Sequence, residues 1–428
     1  MYRKVLFVVA PVVWPNLPLP GVASLSEYLL ANNINNDVFD LNIGLYNSSP
    51  PEVKKVWMKN SSHFQDVFFA EHKKYVDKIL KLIETEKYKF VAFSVYNTNY
   101  VFSKNLAEVI KKHFNNIKII FGGPAVFYFY NYNPDYLVND KIIDYFIIGE
   151  GELALKSVVL NEIEHKQKVI KNYQIKSVSD LPFPTYNKFN LKNYARKNAL
   201  PIVASRGCIN KCNFCAEKLL FTSYRVRHFD DIFREILYHY NKNNIRWFTF
   251  YDSIFNANLK NMQGLIDSIV DSKINISWDA QISIRDDMNI NLLKKIKQSG
   301  CVNLFIGLET GSESILKNMN KSFNLASAVD FFKKLTDAGL NFEVSLILNY
   351  PFESEKEFSD TIKFFEKNQI VIKKIAQINP YVYYPGTNVD ITMGYNLFKG
   401  IQKVEILKHY IKSYKVKYTN SYINNLLK

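Results

Sequence analysis

Cysteine and long apolar runs are scarce in this chain. Four cysteines occur in 428 residues, and three of them lie within eight positions. This distribution does not suit a secreted disulfide scaffold, whose cysteines pair along the whole chain, and it favours a reducing, cytoplasmic setting. No stretch of about 18 consecutive apolar residues occurs, so we expect no membrane span and no membrane partner.

Arginine is scarce as well, so lysine carries most of the positive charge. The formal net charge is +15, and eight of the 55 basic residues are arginine. The lysines are scattered among Asn and Ile and are not interleaved with aromatic residues as a nucleic-acid-binding stripe would be. We interpret the charge as a solvated lysine surface and do not expect nucleic acid as a partner.

Strand and helix patterns alternate along the chain, which is long enough for two domains. Alternation at this spacing predicts an α/β fold with parallel sheets. We expect a doubly wound parallel sheet over residues 1–165, a proline-bearing linker over 166–196, a partial (β/α)6 barrel over 197–390 and a helical extension over 391–428. The predicted barrel strands are Ile202–Ser205, Trp247–Tyr251, Ser277–Ile282, Asn303–Gly307, Phe342–Leu348 and Ile375–Tyr381.

The three clustered cysteines, Cys208, Cys212 and Cys215, have the spacing C-x3-C-x2-C. A structural zinc site normally has four protein ligands. The fourth cysteine, Cys301, lies far along the chain before a predicted strand, where we expect a buried small residue. Iron–sulfur clusters normally take four thiolates, so three leave one iron open to a small molecule. A zinc loop or a chance cluster is the alternative interpretation.

This spacing, with Phe214 directly before the third cysteine, resembles the signature of the radical SAM superfamily. The resemblance implies a [4Fe–4S] cluster whose open iron binds S-adenosylmethionine (SAM) through its amino and carboxylate groups. One-electron reduction of SAM then yields a 5′-deoxyadenosyl radical. The superfamily's fold is a partial (β/α)6 barrel, and barrel chemistry lies at the carboxyl ends of the strands.

The resemblance continues after successive predicted strands. The residues that it assigns to SAM are Phe214, Asp252, Ser253, Ser283, Arg285, Glu309, Leu348 and Asn349. Asp252 would receive the SAM ammonium, and the alternative is that Asp252 or Ser253 caps a helix. Arg285 would bind the SAM carboxylate, and the alternative is a surface ion pair. Glu309 would hydrogen-bond SAM, and the alternative is a carboxylate near a helix start.

Two further strand ends are less regular. Asn349 and Phe352 stand where the family pattern has glycines, so the resemblance does not define the backbone path near the adenine. Tyr383 and Tyr384 resemble the family's closing loop, which faces substrate and adenosine. The chain contains 28 tyrosines, so an incidental match is the alternative for this pair.

The N-terminal domain lacks the G-x-G-x-x-G fingerprint of dinucleotide-binding sheets. Leu19–Leu25, Phe93–Tyr96, Phe121–Pro124 and Ile148–Glu152 instead resemble the cobalamin-binding domain that precedes many radical SAM domains. The corrin contacts that this implies are Tyr96, Asn97, Thr98, Gly122, Gly123, Gly149, Glu150 and Gly151. The cobalt-ligating motif D-x-H-x-x-G is absent, as it often is in this group. Tight turns are the alternative role for the glycines.

Together these resemblances imply a cobalamin-dependent radical SAM enzyme, with methyl transfer to an unactivated carbon or phosphorus as the leading expectation. A radical SAM cyclase, a rearranging enzyme or a peptide epimerase is the second interpretation, with or without bound cobalamin. A cluster-bearing nucleic-acid binder is the third. We expect a small-molecule or peptide substrate, and a reductase, flavodoxin or ferredoxin as electron donor.

Overall fold

The computed structural model describes residues 3–58, 73–163, 167–389, 402–408 and 417–418. The chain divides into two compact units, Met1–Asn198 and Ala199–Lys428. Each unit is built on one parallel sheet, as the strand–helix alternation predicts. Among the described residues, no helix combines the length and the hydrophobicity needed to cross a bilayer.

The first unit contains a six-stranded parallel sheet. Its strands are β1 (Val5–Val9), β2 (Asn36–Asp40), β3 (Phe90–Ser94), β4 (Lys118–Gly122), β5 (Tyr145–Ile147) and β6 (Val169–Ile170). Its α-helices are α1 (Pro20–Ala31), α2 (Leu41–Ser48), α3 (Pro51–Lys55), α4 (Lys73–Glu86), α5 (Tyr100–His113), α6 (Pro124–Tyr132), α7 (Pro134–Val138) and α8 (Glu152–Leu160). The strand order is β2-β1-β3-β4-β5-β6. The order reverses between β1 and β3, and ligands of doubly wound sheets bind outside the carboxyl ends at such a reversal.

The core of the first unit forms around β1, which is buried at every residue. Val5, Phe7 and Val9 of β1 lie in one buried cluster with Leu29 of α1 and Leu155 of α8. The apolar run of β1 is typical of a central parallel strand, which is covered on both faces. This packing keeps the loops that follow the strands together at one edge of the sheet.

The segment that we expected to be a linker is part of the first unit. Val169–Ile170 forms β6 and pairs with β5, and Ile170 is fully buried. Tyr194 is 3% exposed, and its hydroxyl donates to Asp40 Oδ2 over 2.6 Å. The segment therefore contributes an edge strand and buried side chains to the first unit.

The second unit contains a seven-stranded parallel sheet and a short antiparallel ribbon. The sheet strands are β7 (Ala199–Ile202), β10 (Trp247–Phe250), β11 (Ser277–Ile282), β12 (Cys301–Glu309), β13 (Phe342–Leu348), β14 (Lys374–Pro380) and β15 (Lys417–Tyr418), and the ribbon strands are β8 (Ser205–Arg206) and β9 (Arg225–Val226). The strand order is β15-β14-β13-β12-β11-β10-β7, so β7 and β15 are the two edges in the described part of the chain. The sheet is thus open, as a partial barrel is.

The described residues of the second unit include eight α-helices. They are α9 (Glu217–Leu220), α10 (Phe229–Lys242), α11 (Leu259–Ser272), α12 (Ile290–Gln298), α13 (Glu313–Asn318), α14 (Leu325–Asp337), α15 (Glu355–Asn368) and α16 (402–408). Along β11, Trp278, Ala280 and Ile282 are buried, whereas Gln281 is exposed. This alternation leaves one face of the sheet polar and accessible.

The first barrel strand is displaced from its predicted position. β7 spans Ala199–Ile202, whereas we predicted Ile202–Ser205. Pro201 disfavours a strand in a sequence pattern, but β7 is an edge strand, where a missing backbone donor is tolerated. Cys301 begins β12 at the edge opposite the carboxyl ends and is 2% exposed, which confirms its buried position.

Two other predictions concern the chain's less regular parts. The sequence pattern also predicts a helix over Gln65–Ile83, which is seen from Lys73 onward; its start lies outside the described residues. In the expected helical extension 391–428, residues 402–408 are helical, and Lys417–Tyr418 adds a strand beside β14. The rest of that extension lies outside the described residues.

Candidate functional site

The cysteine loop is closed at its base by the β8–β9 ribbon, which pairs Arg206 with Arg225. The two ends of the loop 207–224 are therefore held side by side. Gly207 begins the loop with a φ of +79°, and a Cβ there would lie 2.6 Å from the carbonyl oxygen of Ser223. Both the backbone conformation and the lack of space require glycine at this position.

The three thiols lie in a partly buried loop. Cys212 is 8% exposed, and Cys208 and Cys215 are half-buried. The backbone N–H groups of Asn210 and Glu217 donate to the Sγ atoms of Cys208 and Cys215 over 3.3 and 3.5 Å. Burial raises the pKa of all three thiols, that of Cys208 to about 11. The N–H groups directed at sulfur favour the thiolates once a bound cation offsets the burial.

The donor set fits an iron–sulfur cluster with one open iron. Three thiols, two of them with N–H donors on sulfur, are the ligands that such a cluster requires, and hydrogen bonds to the sulfurs are among the features that tune it. Among the described residues, no three His, Cys, Asp or Glu side chains converge closely enough to hold a single metal ion. Ligands of one zinc ion would have to lie about 4 Å apart, given Zn–S bonds of about 2.3 Å.

The turn after α13 holds the cysteine loop from the other side. The N–H of Asn213 donates to the carbonyl of Met319 over 3.0 Å. The side-chain amide of Asn213 donates to the Asn318 carbonyl over 2.6 Å, and that of Asn320 donates to the Lys211 carbonyl over 2.8 Å. Sequence analysis missed these contacts because they join residues more than 100 positions apart.

Asp252 lies after β10, as predicted, but its carboxylate supports the base of the cysteine loop. It is 4% exposed and accepts hydrogen bonds from the Ala204 N–H, over 3.2 Å, and from the Ser205 hydroxyl. Burial raises its pKa to about 6, and these hydrogen bonds oppose the rise. The alternative cap is wrong, because Asn258 caps the following helix, α11. The contact with the SAM ammonium stays a prediction.

Ser253 connects the same strand end to the residue two places after the third cysteine. Its hydroxyl donates to Oε1 of Glu217. Glu217 is largely buried, and this burial raises its pKa. Sequence analysis did not select Glu217, although its position beside the cysteines placed it near the site.

Ser283 and Arg285 follow β11 and are both braced by the preceding strand's loop. The side chain of Asn256 accepts from the Ser283 N–H over 2.9 Å and donates to its carbonyl over 2.8 Å. Arg285 binds both carboxylate oxygens of Asp287, over 2.8 and 2.6 Å, and donates to the Asn256 and Ala257 carbonyls. The alternative ion pair is therefore present, and a contact with the SAM carboxylate stays a prediction.

Glu309 ends β12 in a left-handed conformation, with a φ of +71°, and is 8% exposed. Lys321 Nζ lies 3.2 Å from its Oε1 and is itself 8% exposed. The same ammonium lies 5.9 Å from the ring centroid of Phe214. Burial alone would lower the pKa of Lys321, but Glu309, Cys212 and Cys215 together outweigh burial and raise the pKa. Lys321, which sequence analysis missed, thus places a buried cation beside the cysteine loop.

The end of β13 explains the replacement of the family's first glycine. Leu348 is fully buried, and Asn349 has a φ of +57°. Asparagine tolerates this left-handed conformation better than most residues, so it can follow the backbone path that a glycine would take. Tyr350, the next residue, is 2% exposed, and its ring packs edge-on against Phe214 with the centroids 6.5 Å apart.

In the first unit, the structure separates the predicted corrin contacts into two groups. Asn97 and Gly149 are exposed at the carboxyl edge, whereas Tyr96 is half-buried against the core. Glu150 is 7% exposed and accepts from the Ile175 N–H over 3.2 Å, so its carboxylate supports the fold. A Cβ on Gly151 would lie 2.9 Å from Leu25, so this glycine allows close helix packing.

Close packing also explains Gly123, whose φ is +108°. A Cβ there would lie 2.8 Å from the carbonyl oxygen of Val95. Gly122 ends β4 beside it. The alternative role for the glycines is thus present for Gly123, and the corrin contacts stay predictions.

Asn99, which we did not select from the sequence, connects the loops at the point where the strand order reverses. It is fully buried, accepts from the Tyr96 N–H over 2.7 Å and donates to the Ala10 carbonyl over 3.1 Å. The Thr98 hydroxyl donates to the Val12 carbonyl over 2.6 Å. These bonds tie the loop after β1 to the loop after β3, where a ligand of this sheet is expected.

Comparison with known proteins agrees with this geometry. Residues 202–365 match the model of the radical SAM superfamily, and residues 58–159 match that of the B12-binding domain. The chain carries a radical SAM domain and a B12-binding domain. The superfamily implies SAM and a [4Fe–4S] cluster, and the B12-binding domain implies cobalamin.

One curated relative is an uncharacterized methyltransferase of Pyrococcus horikoshii, 26% identical over 335 residues, which are 71% of each chain. A structure of the cobalamin-dependent SAM radical enzyme OxsB, with aqua-cobalamin and SAM bound, aligns with 96% of this chain at a TM-score of 0.67 and 16% identity. This chain spans 56% of OxsB. The radical SAM methyltransferase TsrM from Kitasatospora setae aligns with 91% of this chain and 75% of its own at a TM-score of 0.70 and 15% identity. These two structures confirm the fold.

Proposed function

We propose that this protein is a cobalamin-dependent radical SAM methyltransferase that acts on an unactivated carbon or phosphorus atom. The observation that carries the proposal is the three-cysteine loop at the carboxyl edge of a partial barrel, in a chain that also holds a B12-binding domain. Relatives named as methyltransferases support methyl transfer.

The chain's own residues bind and orient the reacting groups. Cys208, Cys212 and Cys215 would hold the cluster, which supplies the electron that cleaves SAM when it is bound. Lys321 and Glu309 form a buried ion pair beside this loop, so SAM would meet a polar but locally neutral wall. Phe214 and Tyr350 supply an apolar surface, which suits an adenine ring.

Methyl transfer of this kind consumes two molecules of SAM. One would supply the methyl group and become S-adenosylhomocysteine, and cobalamin, when bound, would serve as the methyl carrier. The other takes one electron, yields methionine, and ends as 5′-deoxyadenosine after abstracting a hydrogen atom from the substrate. The electrons must come from outside, and we propose a reductase, flavodoxin or ferredoxin as the donor.

The methyl-loading half of the reaction can be tested before the substrate is known. The protein is reconstituted without oxygen with iron, sulfide and hydroxocobalamin, reduced, and incubated with SAM that carries a CD3 group. We expect S-adenosylhomocysteine, CD3 label in the released corrin, and 5′-deoxyadenosine. Formation of 5′-deoxyadenosine without label in the corrin would contradict methyl transfer and favour a cyclase, a rearranging enzyme or an epimerase.

A variant with Cys208, Cys212 and Cys215 all changed to alanine is the matched control. We expect it to lose iron and 5′-deoxyadenosine formation but to retain corrin, because the B12-binding match lies in the other unit. Strong, salt-sensitive binding of RNA or DNA by the wild-type protein would favour the nucleic-acid interpretation instead.

A further inference from the structure

The turn that follows β13 is built around a buried carboxylate. The side chain of Glu353 is fully buried, and its Oε2 accepts from the Asn349 N–H, 2.5 Å away. The N–H of Glu353 donates to the Tyr350 carbonyl over 2.7 Å. Its other oxygen, Oε1, is buried and accepts no hydrogen bond from a described residue. Glu353 therefore holds the left-handed turn at Asn349 but needs a compensating charge.

That charge comes from α16, a helix more than 40 residues further along the chain. Lys403 Nζ lies 3.4 Å from Glu353 Oε2 and 3.4 Å from the Glu353 carbonyl oxygen, and its side chain is 7% exposed. Burial raises the pKa of Glu353, and Lys403 opposes that rise. Val404 and Leu407 are fully buried and fix the helix in place. The pair thus joins α16 to the turn after β13.

The turn after β13 also contacts the cysteine loop. Tyr350 lies within it and packs on Phe214, which directly precedes Cys215. Tyr350 also packs edge-on against Tyr381, with the ring centroids 5.2 Å apart. A change in the turn would therefore move the aromatic wall beside the cysteines.

We propose that Lys403 is a positioning residue for the SAM site. Its ammonium compensates Glu353, Glu353 holds the Asn349 turn, and the turn keeps Tyr350 against Phe214. Helix α16 thereby stabilises the wall of the barrel that would face SAM. The proposal rests on the proposed SAM site for its functional meaning, but the physical coupling exists in the protein without cluster or SAM.

The test is Lys403→Met, with Lys408→Met as the matched control. Lys408 lies on the same helix and pairs with Glu405, which is 56% exposed, so the Glu405 carboxylate stays solvated after the same change. Hydrogen–deuterium exchange is measured on cluster-free protein, over peptides that cover residues 345–358 and 208–216. Breaking a buried ion pair should speed exchange in the turn about 10- to 100-fold in Lys403→Met. Lys408→Met should match the wild type.

A double variant, Glu353→Gln with Lys403→Met, separates the charge effect from general damage. It buries no unpaired charge, so the turn should exchange within about threefold of the wild-type rate. Unchanged exchange in Lys403→Met, or equal exchange in Lys408→Met, would overturn the proposal. If Lys403→Met does not fold, the double variant decides, because its failure to fold as well would contradict a role based on charge.

SAM affinity of the reconstituted protein is the second readout. We expect Lys403→Met to weaken SAM binding about tenfold with its iron content unchanged, as loss of preorganisation predicts. Wild-type protein that binds no SAM would contradict the proposed function and leave the exchange result standing. Faster exchange with unchanged SAM affinity would instead overturn the positioning role alone.

Discussion

Replacing Lys321 with methionine tests the electrostatic arrangement beside the cysteine loop. Lys321 and Glu309 are each about one-tenth exposed, and their charged atoms lie 3.2 Å apart. Methionine has an apolar chain of similar length, but it removes the ammonium that lies near the rings of Phe214 and Phe323. The Glu309 carboxylate is then buried without its cation. Breaking such a pair from one side costs about 3–5 kcal/mol of unfolding free energy, because the remaining charge is uncompensated.

The magnitude is measured by denaturant unfolding of the cluster-free protein. Lys317→Met is the control, because Lys317 is exposed one turn earlier on α13. A double variant, Glu309→Gln with Lys321→Met, should recover most of the loss, to within about 1–2 kcal/mol of the wild type. If Lys321→Met is as stable as Lys317→Met to within about 1 kcal/mol, the buried pair does not have the energetic role that its geometry implies.

Three further predictions follow from single contacts. Arg285→Ala should weaken SAM binding about tenfold at unchanged iron content, because the guanidinium braces two strand-end loops. Unchanged SAM affinity would show that Arg285 only forms the ion pair with Asp287 and does not bind SAM. Asp252→Asn removes a carboxyl whose pKa burial raises to about 6. A raised pKa stabilises the folded protein at low pH. From pH 5 to pH 7, the unfolding free energy of the wild type should therefore fall by about 1 kcal/mol relative to that of Asp252→Asn. A difference between the two proteins that does not change with pH would contradict this. Gly123→Ala forces a Cβ to 2.8 Å from the Val95 carbonyl oxygen and should lower the melting temperature of the corrin-free protein by several degrees, whereas Gly21→Ala in α1 meets nothing within 4 Å and should not.

The fold and the positions of the main site residues could be predicted from the sequence because they depend on local patterns. The predicted barrel strands Ser277–Ile282 and Phe342–Leu348 agree with the structure at both ends. These strands combine apolar side chains with clear flanking breaks, so periodicity defines them. Parallel pairing then brings their carboxyl ends to one edge, which is why residues chosen at strand ends lie together.

The remaining features depend on long-range contacts. The pairing of Lys403 with Glu353 and of Lys321 with Glu309 joins charges that no local pattern connects. The carboxylate of Asp252 accepts from Ala204 and Ser205, which lie 48 and 47 positions away in the sequence. The position of the first barrel strand was predicted wrongly for a related reason. A strand tolerates a proline such as Pro201 only at the edge of a sheet, and the sequence does not show that β7 is an edge strand.

Metal and corrin content after anaerobic reconstitution tests the central claim most directly. The wild-type protein and the triple cysteine-to-alanine variant are each loaded with iron, sulfide and hydroxocobalamin, desalted, and assayed for iron and cobalt per chain. We expect about four irons and one cobalt per chain in the wild type, and cobalt without iron in the variant. Equal iron in the two proteins would contradict a cluster on Cys208, Cys212 and Cys215, and iron without cobalt in the wild type would contradict cobalamin dependence.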